Sequence, residues 1–281
     1  MGFIEKLNLL IGLYLAPLKS FWKGKLWLPF LIYAFLQAVL LILLVSYANP
    51  HIYPVLSPLV RLLGEGRDDF FSHYPGLFLM LPQVFDWGKI FLGIILEGLA
   101  AGLTSILFLK ILAAKTGEEA IKPGYAFSRW LHLAAVWSFI TVLLVVTISW
   151  LLPTLFSGLL HGSPRRALFF DMGLRLLTVF IYAIFIYAVP SVVVNRKSVW
   201  GALKQSISYF LRHPIFSFFL ALFPYLLSVP GSFAISRADV IVSKFSPELV
   251  FYILLIGVVI DLFVNFVLTG AIVKFLVEEE S

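Results

Sequence analysis

Six stretches of this 281-residue chain are each apolar for about the length that crosses a bilayer, and this excludes most folds. An α-helix rises about 1.5 Å per residue, so roughly 20 apolar residues cover the ~30 Å hydrocarbon core. The stretches are Leu26–Ala48, Ile90–Ala114, Leu131–Phe156, Leu176–Val194, Pro214–Ile235 and Leu249–Leu276. Hydrocarbon offers no hydrogen bonds, so the backbone must satisfy itself within each segment, and helices follow. The expected fold class is all-α, a polytopic integral membrane protein of about six transmembrane helices.

Composition agrees. Hydrophobic residues make up 61% and charged residues 13%, against about 45–50% and about 25% in a soluble domain. No polar or Pro/Ser-rich linker divides the chain, so residues 1–281 read as a single membrane domain. Cysteine is absent, which excludes disulfides and thiolate chemistry. The formal charge of +6 reports topology on a membrane protein, so no nucleic-acid partner is expected.

The basic residues set the orientation. With the N-terminus inside, 13 of the 21 Lys and Arg fall on cytoplasmic segments and 8 outside. The expectation is a multi-pass protein of the cell inner (cytoplasmic) membrane with both termini cytoplasmic. The first 25 residues carry an apolar stripe of Phe3, Leu7, Leu10 and Tyr14, as an interfacial amphipathic helix would. The outer loop Asn49–Gly88 is expected to hold short interfacial helices, and its Glu65, Asp68 and Asp69 form a solvated tip.

An internal repeat organises the chain. Gly93-Ile-Ile-Leu-Glu97…Ser105…Lys110 aligns without a gap on Gly257-Val-Val-Ile-Asp261…Thr269…Lys274. Phe21-x-Lys23, Phe127-x-Arg129 and Phe210-x-Arg212 each close an amphipathic approach segment just before an odd-numbered span. These features define three helical-hairpin units, about 1–115, 116–197 and 198–281, related by an axis along the membrane normal.

Glu97 and Asp261 are the acids deep within the expected spans. An ionised carboxylate there costs at least ~3 kcal/mol, so such residues face protein or water. Spacing of four residues places Glu97 with Ser105, and Asp261 with Asn265 and Thr269, on one face each. Two readings stay open. The carboxyls are neutral and pack the bundle, or they line a polar cavity for a proton, ion or lipid head group. No basic residue is expected beside them. Gly93, Gly98, Gly102 and Gly257 are expected at close helix contacts.

The segment Pro190-Ser-Val-Val-Val-Asn195-Arg-Lys-Ser198-Val-Trp200-Gly-Ala202-Leu-Lys-Gln-Ser206 resembles an elbow of bacterial six-span families. These are the membrane domain attached to some glycerophosphoryl diester phosphodiesterases and the YciC-like inner-membrane proteins. In that pattern a proline ends a span, and an Ala-Leu-x-x-Ser helix leads into the next. Pro190, Asn195 and Ser206 mark it here, with Asn195 where those families often carry Glu. The resemblance implies architecture and a link to envelope lipids, and no reaction.

Chemical motifs are otherwise missing. The five histidines show no metal-ligand spacing, and no Gly-x-Ser-x-Gly, Walker or dinucleotide fingerprint occurs. No cofactor, metal or catalytic residue is expected. The functional expectation is a non-enzymatic inner-membrane protein that handles, transports or senses lipids or other amphiphiles. The alternative is a scaffold or assembly subunit of a larger membrane complex. Membrane lipids are the expected partners, with a membrane protein as a further possible one.

Overall fold

In a computed structural model of the chain, residues 3–61, 73–116, 121–156 and 164–280 are described. The carboxylate cluster Glu65, Asp68 and Asp69 lies outside them. Every regular element among the described residues is helical. Six helices are long and apolar enough to span a membrane: Gly24–Val45, Gly76–Leu112, Trp130–Leu155, Leu168–Val193, Pro214–Ile235 and Leu249–Glu279. They are numbered one to six below. The protein is an all-α polytopic membrane protein.

The second span starts at Gly76, a full 14 residues before the expected Ile90. Asp86 and Lys89 made that stretch read as loop, yet both lie within the helix Gly76–Leu92. Pro224 and Pro230 leave the fifth span a continuous 22-residue helix.

The chain gathers into two compact units. The first comprises Met1–Pro29, Ile94–Tyr225 and Asn265–Ser281, and the second Phe30–Gly93 and Leu226–Val264. Each boundary falls inside a continuous helix, which is why no linker composition announces it.

The first unit contains the N-terminal helix Phe3–Lys19, whose Leu10 and Leu13 are buried. They join a core with Ala183 and Tyr187 of the fourth span, Phe216 and Leu220 of the fifth, and Phe275 of the sixth. The Tyr187 hydroxyl shares a 2.8 Å hydrogen bond with Ser217 Oγ, and its ring centroid lies 5.1 Å from that of Phe275. Trp27 stacks on Phe266 at 3.7 Å, and Phe108 packs on the same ring at 5.3 Å.

The third span carries a π-helical stretch, Val145–Leu151, and irregularities in the second, fourth and fifth spans each have a side-chain hydrogen bond beside them. Residues Gly93–Glu97 form one π-helical turn, which shifts the backbone pairing. The Trp130 indole N–H donates to the Ile95 carbonyl at 2.7 Å. Pro190 has no N–H to offer the carbonyl four residues back, and the helix breaks between Phe185 and Ala188. Ser206 Oγ bridges that break, donating to the Ile184 carbonyl at 2.8 Å and accepting from the Tyr187 N–H at 3.2 Å. Pro224 likewise deprives the Leu220 carbonyl of its helical partner. The Tyr14 hydroxyl donates to that carbonyl at 2.6 Å.

Ser206 is placed by an amphipathic helix, Val199–Arg212, that buries Ala202, Leu203, Ser206, Tyr209 and Phe210 on one stripe. Ser198 caps it by accepting from the Gly201 N–H. The preceding helix ends where the Asn195 and Lys197 N–H groups both donate to the Ser191 carbonyl. Arg196 takes a left-handed φ of 52° between them.

The second unit has its own core, built from Leu41, Leu44, Val60, Leu81, Phe85, Val250 and Leu254. The Tyr53–Arg61 helix contributes Leu56 and Val60 to it. Gly88 is where Leu40 approaches, since a Cβ there would stand 2.6 Å from Leu40 Cδ2.

Candidate functional site

Glu97 belongs to the first unit and Asp261 to the second, and each has its own partner. Asn265 Nδ2 donates to Glu97 Oε1 at 3.2 Å, joining the second and sixth spans. Ser105 is fully buried, and its hydroxyl donates back to the Ala101 carbonyl. Thr269 is buried on the sixth span. Of the five residues expected at an intramembrane polar site, Glu97 and Asn265 are joined by a hydrogen bond.

Asp261 does have a base beside it, contrary to expectation. Lys89 Nζ lies 2.6 Å from Asp261 Oδ2. Lys89 is 13 residues into its span and Asp261 12 residues into its own, about 20 Å and about 18 Å along the helices. Each charge of the pair offsets the other's transfer cost. Both side chains keep 28–30% of their surface exposed.

That remaining exposure opens into a half-open cavity of about 410 Å³. Asp86, one turn before Lys89 and within electrostatic reach of both Lys89 and Asp261, also lines it. The Phe85 ring lies 5.8 Å from Lys89 Nζ. Ser228 and Ser232 of the fifth span, one turn apart, and Ser236 just past its end also line it. Apolar wall comes from Ile235, Ile253, Leu254 and Ile260.

The four glycines divide. A Cβ at Gly98 would meet the Leu133 carbonyl oxygen at 2.8 Å, and one at Gly102 would meet Leu133 Cδ1 at 2.7 Å. The second and third spans are in close contact there. Gly93 is buried in the π-turn. Gly257 departs from the expected helix contact, because a Cβ there would meet nothing within 4 Å. It is a cavity residue, and its missing side chain keeps that wall open. Sequence reasoning missed Gly270, where a Cβ would stand 2.6 Å from Pro17 and 2.7 Å from Phe108. The only signal was a glycine one turn beyond the aromatic Phe266.

A second cavity, of about 340 Å³, lies in the first unit between Arg212, His213, Phe216, Phe275, Glu278 and Glu279. His213 Nε2 and Glu279 Oε1 are 3.0 Å apart at its edge. Among the described residues no three His, Asp or Glu side chains converge as metal ligands would. The elbow residues Pro190 and Ser206 serve the helix break already described, and Asn195 the turn that follows it. The Lys89–Asp261 cavity offers opposite charges, hydroxyls and an apolar wall within one pocket. No protein-family model matches the chain, and no curated protein or solved structure is detectably similar to it.

Proposed function

We propose that this chain is a non-enzymatic inner-membrane protein that handles an amphiphile, holding its polar end in the cavity of the second unit. The observation that carries the reading is the Lys89–Asp261 pair lining a cavity with apolar walls. A cavity of a few hundred Å³ with few convergent polar groups has the usual make-up of a small-molecule site. The cavity lining runs from Ser236, just past the fifth span, to the ion pair between the second and sixth spans. An amphiphile can follow that path with its chain against apolar surface. The excess of basic residues on the segments that share a side with the termini supports a cytoplasmic location for both ends.

The first unit serves this reading as support. Its Glu97–Asn265 bond has an amide as partner and packs two spans together. The Pro190–Ser206 elbow resembles that of bacterial six-span families, a likeness that implies architecture and a link to envelope lipids and names no reaction.

Native mass spectrometry of the full chain in mild detergent tests the proposal. A lipid-sized adduct is expected on the wild type. Gly257→Leu fills the open wall without disturbing a contact, and should remove the adduct. A stoichiometric protein partner, with no adduct sensitive to Gly257→Leu, would favour the scaffold role and reject this one.

A further inference from the structure

Two turns at one end of the third and fourth spans bring arginines to a single aromatic ring. Arg129 directly precedes the third span, and Arg196 follows the fourth by three residues. A hairpin of two crossings places both on the same side of the membrane. Arg129 Cζ lies 5.6 Å from the centroid of the Tyr125 ring, and Arg196 Cζ 5.9 Å from it. Arg129 Nε also donates to the Tyr125 hydroxyl at 3.2 Å, and its Nη1 lies 3.4 Å from His132 Nε2. Neither guanidinium forms an ion pair among the described residues, which do not include Glu118 and Glu119.

We infer that Arg129 and Arg196, held on the Tyr125 ring, form a site for the phosphate of an anionic phospholipid. All three residues belong to the first unit, so the inference does not depend on what the second-unit cavity binds. The backbone of Arg196 is a separate argument for it. Its φ of 52° is the only left-handed value at a non-glycine residue among the described ones. Glycine meets that turn with least strain, so an arginine there keeps a side chain where the turn itself asks for none. Two like charges beside one ring repel, and one phosphate compensates both. The planar fork of a guanidinium matches phosphate oxygens two at a time. Phe127, Trp130 and Trp200 are exposed around the same turns, as aromatic side chains are at head-group level. A basic pocket between spans at that level suits an anionic lipid head group.

The experiment offers the delipidated full chain, in mild detergent, phosphatidylglycerol and a phosphatidylcholine with the same acyl chains. Retention is read by native mass spectrometry. The wild type should hold the anionic lipid about fivefold or more tightly, the scale of one arginine at a charged membrane surface. Arg196→Gly suits the left-handed turn, so thermal unfolding should stay unchanged or rise while most of that preference disappears. Arg129→Gln should lower the preference to a similar degree, and Arg196→Lys, which keeps the charge and loses the fork, by less. Lys197→Ala removes the same charge one residue away and should change the preference by less than about twofold, as a screened exposed charge does. Equal losses in Lys197→Ala and Arg196→Gly would show diffuse attraction and overturn the site. So would a wild type that holds both lipids alike. Displacement of the lipid by millimolar inorganic phosphate would point to a free anion and overturn the lipid assignment.

Discussion

Removing the Tyr14 hydroxyl tests whether the N-terminal helix completes the backbone of the fifth span. Pro224 lacks an N–H, so the carbonyl of Leu220 loses its helical partner. Leu220 is fully buried, and Tyr14 supplies a 2.6 Å hydrogen bond in place of the missing one. Tyr14→Phe keeps the ring and leaves a buried acceptor unpaired, which costs about 1–3 kcal/mol. In a Pro224→Ala background the alanine N–H restores the bond to Leu220, and the same change should cost only about 0.5–1 kcal/mol. The difference is a coupling energy of roughly 1–2 kcal/mol. Reversible unfolding of the four variants in mixed micelles, followed by circular dichroism, measures it. An alkaline arm is independent. Burial, and then nearby Tyr187, push the Tyr14 hydroxyl above its ordinary value of 10.0. A group with a raised folded pKa contributes stability that is complete below its unfolded pKa and is lost as pH rises above it. The wild type should therefore lose stability above about pH 10 more steeply than Tyr14→Phe does. Equal cost of Tyr14→Phe in both backgrounds would refute the argument that Tyr14 answers for Pro224.

Gly98→Ala drives a Cβ onto the Leu133 carbonyl and should cost about 1–3 kcal/mol, whereas Gly257→Ala enters open space and should gain about 0.4–1 kcal/mol. Thermal unfolding of the two side by side decides it, and the same sign for both would count against the glycine assignments. Glu97→Gln keeps an acceptor for Asn265 and should be nearly neutral, while Asp261→Asn strands Lys89 and should cost about 1–2 kcal/mol, discounted for its partial exposure. Chemical denaturation of both variants checks the order, which must not invert. Single cysteines at Ser198 and Ser246, both exposed and on opposite sides of a six-span chain, should label from the cytoplasm and from outside respectively. Labelling of both from one side of intact cells would exclude an odd number of crossings between them.

The six spans were legible because length and apolarity are properties of a single segment. The limits of the second span were misread, because Asp86 and Lys89 look like surface charge when read alone. Their acceptability inside a helix depends on Asp261, 172 residues beyond Lys89. Gly98 and Gly102 were found by their spacing, which is local. Gly257 has the same surroundings in sequence but faces a cavity, and no local pattern separates the two cases. The elbow was legible as a pattern at Pro190 and Ser206. That Ser206 serves the break in the preceding span could not be read, since the turn at Ile186 and Tyr187 must be known first.

The three approach segments are more than interfacial anchors. Tyr14 lies on the first, Trp130 directly follows the second, and Ser206 lies on the third. Each gives a hydrogen bond to a backbone carbonyl beside a π-turn, a helix break or a proline. The side chain of the second repeat bonds into the first, that of the third into the second, and that of the first into the third. The targets are not strictly equivalent, since two lie on even-numbered spans and one on the fifth. The shared element is the requirement itself. An open carbonyl within a bilayer has no water to turn to, so a chain that keeps prolines and a π-turn in its spans must bring polar side chains to them. Amphipathic helices lying against the bundle can do so, because one face is already buried there. The same segments that make the odd-numbered spans predictable from sequence thereby allow the irregular spans to exist.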